Sequence, residues 1–210
     1  MFANKSVLQL FPCNIWVHEL EPEVFEPMNA KLLARVEALL TPRPEIWPGF
    51  TWQTRNDLQD DPEFSQLVAL FRTAFDGVLE FLQVEARAYE ITGCWANVNP
   101  EGSPHSAHIH PNNYLSGVYF VRTSSGSDSI TFHDPRAISS MVLPKFRERN
   151  QHNSDSINVD AKVGRLAIFP AWLKHSVGPN QSPVERVSIS LNMMFSDFTK
   201  NLSRPLWQGL

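Results

Sequence analysis

The feature that most constrains this fold is a change of texture near residue 86. Before it, apolar residues recur at helical spacing; after it, short alternating runs are broken by turn residues. A period of 3.6 lines one face of a helix, whereas a period of 2 sends side chains to alternate faces of a strand. Many short alternating strands mark an antiparallel sandwich or barrel, and the preceding helices supply a layer to cover it.

Two helices are predicted in the first half. One spans about 27–40, with Met28, Leu32, Val36, Leu39 and Leu40 as its apolar stripe. The second starts with Asp61 as N-cap and Pro62 at the first helical position, where a missing N–H costs nothing. Its stripe is Phe64, Leu67, Val68, Phe71, Phe75, Val78, Leu79 and Leu82. Strands are predicted at 88–98, 106–110, 115–122, 129–132, 157–161, 165–169, 175–177 and 185–195. The first twenty residues have an apolar flavour but no basic start or small-residue cleavage site, so they read as a first strand and not a signal peptide. The fold expected is mainly β, a jelly-roll barrel flanked by helices on one side. As one domain over 1–210 it divides into a strand with two covering helices (1–85), the barrel (86–197) and a tail (198–210). The stretch 135–156 has no periodicity, the usual property of a lid or mobile loop.

A hydrophobic fraction of 42% is ample for a core. The net charge of −4 argues against nucleic acid, which calls for a basic patch. No apolar stretch is long enough to span a bilayer, so neither a membrane nor a nucleic acid is an expected partner. Cys13 and Cys94 lack metal-site spacing and read as small buried apolar residues in a reduced compartment; a cytoplasmic location is expected.

Three of the seven histidines fall in the segment 94–119. On a strand, residues i and i+2 share a face about 6.6 Å apart, so His108 and His110 can converge on one metal ion. Pro111 then ends the ladder. His105, three residues before His108, should lie on the opposite face. His175 follows a buried strand and a proline-aromatic corner, which brings a third imidazole to the same end of the barrel. Three histidines from two strands form a facial set with open coordination positions, as catalysis requires.

The last strand places Val187, Ile189, Leu191, Met193 and Phe195 on one face, and Arg186, Ser188, Ser190, Asn192 and Met194 on the other. If helices cover the apolar face, Arg186 looks into the barrel and needs an anion. Asp134 or Glu90 could be that partner. Alternatively Arg186 holds the carboxylate of a small acid, which guanidinium geometry suits.

Taken in order, W-x-N (Trp95, Asn97), H-x-H-P (His108, His110, Pro111), L-S-G-V-Y (115–119), F-x-D-P-R (132–136), G-x-L-x-x-F-P-x-W (164–172), His175 and R-x-S-x-S-x-N (186–192) resemble a bacterial and phage branch of the 2-oxoglutarate/Fe(II) oxygenases. The resemblance covers roughly 90–195. It implies a double-stranded β-helix, Fe(II) held by His108, His110 and His175, and 2-oxoglutarate as co-substrate. Arg186, eleven residues past His175, stands where these enzymes place the base for the distal carboxylate, with Ser188 assisting and Tyr119 or Asn97 as helpers. His110 departs from the superfamily at large, which has Asp or Glu there. A three-histidine iron dioxygenase that needs no 2-oxoglutarate, a zinc enzyme and a non-catalytic cupin-like binding protein therefore stay open. The substrate expected is a small molecule under the 135–156 loop, whose Arg136, Lys145, Arg147 and Arg149 hint at an anionic group. An exposed edge strand would allow a homodimer.

Overall fold

The computed structural model describes residues 2–85, 88–136, 141–142 and 144–200. Among these the order is β1 (Trp16–Glu19), α1 (Pro22–Leu40), β2 (Trp52–Gln53), α2 (Ser65–Phe81), β3 (Tyr89–Asn99), β4 (His105–His108) and β5 (Leu115–Arg122). There follow β6 (Ser129–His133), β7 (Ser156–Asp160), β8 (Arg165–Pro170), β9 (His175–Val177), β10 (Arg186–Phe195) and α3 (Ser196–Thr199). The strands form a six-stranded sheet, β1-β8-β5-β10-β3-β2, and a four-stranded sheet, β4-β9-β6-β7. All named pairings are antiparallel. The two sheets face each other as the halves of a double-stranded β-helix.

Two apolar layers hold this arrangement. Met28, Leu32 and Val36 of α1 and Phe71, Phe75 and Val78 of α2 pack on Val187, Ile189, Leu191 and Met193 of β10 and on Ile168 of β8. Between the sheets, Val118, Phe120 and Phe169 meet Ile130 and Phe132. Burying each such side chain contributes about 1.5–3 kcal/mol. The helical layer sits close: a Cβ on Gly117 would lie 2.5 Å from Phe71 Cε1, so β5 carries glycine where α2 crosses it. β10 runs between β5 and β3, with its apolar face toward the helices and its polar face toward the four-stranded sheet.

Helix α1 begins at Pro22, five residues before the expected start. Pro22 occupies the first turn, and the helix absorbs Pro27 at the loss of one backbone hydrogen bond. Asp61 does cap the second helical segment, accepting from the Glu63 N–H at 3.0 Å, but Pro62–Phe64 is a tighter 3-10 turn that leads into α2. Of the described residues among the first twenty, only Trp16–Glu19 are strand, paired with β8. Cys13 is exposed, contrary to expectation, while Cys94 is buried between α2 and the sheet. The described residues between β6 and β7 form no helix or strand, and the Asp134 N–H bonded to the Asp155 carbonyl closes the base of this loop.

Candidate metal and co-substrate site

His108 ends β4 and lies opposite His175, the first residue of β9. β4 stops two residues earlier than expected, yet the His110 N–H still bonds to the Ala171 carbonyl and holds its ring beside the other two. One nitrogen from each of His108, His110 and His175 lies within 4.8 Å of the others. The Nδ1–H of His108 donates to the Ser106 carbonyl at 2.8 Å, and that of His175 to the Leu173 carbonyl at 2.9 Å. A carbonyl can only accept, so in both rings the proton is fixed on Nδ1 and the Nε2 lone pair is free for a metal. Phe169 meets the His175 ring edge-on at 4.7 Å, and Trp95 lies 5.6 Å from His110.

Burial holds the His175 and His110 rings uncharged. It lowers the pKa of His175 to about 4 and that of His110 to about 3, with the neighbouring imidazoles adding to the effect. Uncharged imidazole is the form that ligates. The donor set fits a divalent transition ion: three imidazole nitrogens brought together at one end of the cavity, with the rest of the sphere open to it.

That cavity measures about 200 Å³ and runs between the sheets from the imidazoles to Arg186, with Asn97, Ser188 and Ser190 along it. Arg186 is 3% exposed. One guanidinium nitrogen reaches the Ser129 carbonyl at a long 3.5 Å, and among the described residues the buried Nε has no partner. Burial lowers its pKa from 12.5 to about 10. Neither suggested carboxylate serves it: Asp134 binds Arg136 at 2.7 Å and Glu90 is exposed at the far end of β3. Glu185, next along the chain, faces away and pairs with Arg43 and Arg122. A buried guanidinium without a counter-charge is costly unless a ligand supplies the anion. Its position fits a carboxylate of the co-substrate.

Other expected residues divide. Asn97 lines the cavity and is held by Gln53 at 3.0 Å and by Ser190 at 3.4 Å. Tyr119 does not reach the cavity. It lies on the helix-facing side of β5, its hydroxyl donating to Asn29 of α1 at 2.8 Å. His105 was placed on the wrong face: β4 uses three steps, His105 to His108, against two on β9, Val177 to His175. That β-bulge turns His105 into the cavity, where its ring stacks on His108 at 4.7 Å. The Arg136, Lys145, Arg147 and Arg149 side chains are exposed, and none lines the cavity. Gln53, from a two-residue strand without periodicity, was not anticipated, nor was the buried and unpartnered Trp95 indole N–H.

Comparison with known proteins agrees with this geometry. Residues 93–192 match the family described as "Putative 2OG-Fe(II) oxygenase". No curated protein matches the chain. Among solved structures, the alpha ketoglutarate dependent epimerase SnoN from nogalamycin biosynthesis is 15% identical, covers 85% of this chain and 78% of its own, and superposes with a TM-score of 0.61. A Pseudomonas putida prolyl-4-hydroxylase is 13% identical over 86% of this chain and 92% of its own, with a TM-score of 0.59. HygX from Streptomyces hygroscopicus, solved with nickel and 2-oxoglutarate bound, is 13% identical over 86% and 82%, with a TM-score of 0.58. At such identities the structures speak for the fold alone, and residues 93–192, just under half of the chain, carry the likeness to the 2-oxoglutarate/Fe(II) oxygenases.

Proposed function

We propose that the protein is an Fe(II)- and 2-oxoglutarate-dependent oxygenase that hydroxylates a small-molecule substrate, releasing succinate and CO2. The observation that carries this reading is Arg186, a buried guanidinium with an unpartnered Nε at the far end of a cavity headed by three imidazoles. A three-histidine dioxygenase that needs no 2-oxoglutarate, a zinc enzyme or a cupin-like binding protein has no standing use for that cation.

In this reading His108, His110 and His175 hold the metal, and Arg186 with Ser188 receives the distal carboxylate of the co-substrate. The bound groups supply the reductive activation of O2, coupled to loss of CO2 from the 2-oxo acid, and so the oxidant for a C–H bond. The chain's own residues do the rest. Backbone carbonyls of Ser106 and Leu173 fix the tautomers of two ligands. Phe169 and Val118 wall the cavity against water, and Asn97 and Ser190 give it a hydrogen-bonding side. His110, standing where a carboxylate is usual, leaves the centre one unit more positive, which favours anionic chelators.

Among the described residues no helix is long and apolar enough to cross a membrane, and we extend the reading to a cytoplasmic enzyme. The edge strands β1 and β7 leave room for a homodimer. Oxygen uptake by the Fe(II)-loaded protein, with and without 2-oxoglutarate, tests the central claim. Uptake that proceeds without 2-oxoglutarate would move the assignment to the three-histidine dioxygenases.

A further inference from the structure

His105 sits between the two ends of the cavity, and the register of the four-stranded sheet shows why. On β9, His175 and Val177 are one pleat apart and both face inward. Opposite them on β4 stand His108 and His105, in that order. On β6, Phe132 pairs with His175, and Ser129, whose carbonyl takes the Arg186 guanidinium, lies three residues earlier. Because β6 and β9 are antiparallel, earlier on β6 is later on β9. Arg186 therefore lies beyond the His108–His175 level on the side of His105 and Val177. At about 3.4 Å per residue, Ser129 is roughly 10 Å from the imidazole level and His105 falls short of it. Among the described residues no hydrogen bond engages the His105 ring, which stacks on His108.

We propose that His105 is a third anchor for the co-substrate: its ring N–H, turned inward by the β-bulge of β4, contacts the 2-oxo diacid between the imidazole cluster and Arg186. The inference rests on the functional reading above and adds a residue to it. An extended diacid chelated at one end and held by a guanidinium at the other passes this level of the cavity. A stacked imidazole presents a donor there at little conformational cost, because the His108 ring and the bulge already fix its plane.

The test titrates 2-oxoglutarate into anaerobic Fe(II)-protein and follows the metal-to-ligand charge-transfer absorption, together with iron content and melting temperature. His105→Phe keeps an aromatic ring against His108 and removes the donor; His105→Gln keeps a donor and gives up the stack. Loss of one hydrogen bond to a carboxylate should raise the Kd of His105→Phe about 10- to 100-fold. Iron should stay at the wild-type ratio, and His105→Gln should recover most of the affinity. Unchanged affinity in His105→Phe overturns the proposal, and so does iron loss, which would make His105 a prop or a ligand of the metal. Equal losses in both variants with lowered melting temperatures would assign His105 to the fold. A wild-type protein that binds iron and shows no absorption with 2-oxoglutarate defeats the functional reading itself, an outcome separate from any difference among the variants.

Discussion

The side-chain amide of Asn192 reaches Nδ1 of His110 at 3.5 Å while its oxygen accepts from the Ser116 hydroxyl at 2.7 Å. Ligation through Nε2 requires a proton on Nδ1, and then the amide oxygen must face His110. The Ser116 hydroxyl donates or accepts with equal ease, so it accommodates either orientation of the amide. Were His110 to ligate in this way, the turned Asn192 amide would hold its tautomer, since among the described residues no backbone carbonyl reaches its Nδ1. Asn192→Ala should weaken iron binding about 10- to 100-fold, as removal of such supporting groups commonly does. Asn192→Asp, an acceptor only, should hold iron at least as well as the wild type. An alanine variant with unchanged iron affinity would show that the contact does not orient the ligand.

The imidazole cluster makes a graded prediction about its members. His108→Ala and His175→Ala should lose stoichiometric iron while far-ultraviolet circular dichroism stays native, since both rings line a cavity. His110→Asp should retain iron, because a carboxylate also ligates, and His110→Ala should bind it more weakly. Equal iron affinity in the two His110 variants would remove His110 from the ligand set.

Arg186 gives opposite signs for binding and stability. Arg186→Met should lower 2-oxoglutarate affinity roughly 30- to several-thousand-fold, the cost of removing one partner of an enclosed charge pair. Without ligand, the same change removes a buried charge whose pKa falls from 12.5 to about 10. The unliganded variant should therefore be more stable than the wild type, by on the order of 1–3 kcal/mol. A lower melting temperature with unimpaired 2-oxoglutarate binding would point to an internal partner instead.

The buried rings also dictate the acid response of the metal-free protein. His105, His110 and His175 have folded pKa values near 4, 3 and 4, while in the unfolded chain they take up protons near 6.5. The unfolded state thus binds more protons between those limits, and stability must fall as the pH falls through them. Melting temperature should decline from about pH 6.5 towards pH 4, and His110→Asn should flatten the slope. A flat profile over that range would show that the rings are hydrated and charge freely.

How far the sequence foretold all this depended on how local the signal was. Leu115–Arg122 and His175–Val177 emerged with the bounds anticipated, because turn residues punctuate both. The two faces of β10 were legible because polar and apolar residues alternate along it, and with them the inward aim of Arg186 and Ser188. His105 was misplaced because a bulge adds a residue without leaving a trace in the polar–apolar pattern. Tyr119, placed at the site by the resemblance, lies elsewhere because a partner far away in sequence, Asn29 of α1, holds its hydroxyl within the core. The two-residue strand that delivers Gln53 is too short to have a period.

The alternation along β10 also sorts the consequences of mutation by residue parity. Val187, Ile189, Leu191 and Met193 join the sheet to its helices, so changes there are paid in folding yield. Arg186, Ser188 and Ser190 contribute nothing to that cluster and everything to the walls of the cavity. Neighbouring codons therefore answer to different pressures. A lineage can drift in what the cavity accepts by changing even-numbered residues while the odd-numbered ones keep the scaffold intact, so one strand allows new chemistry to be tried without risking the protein that carries it.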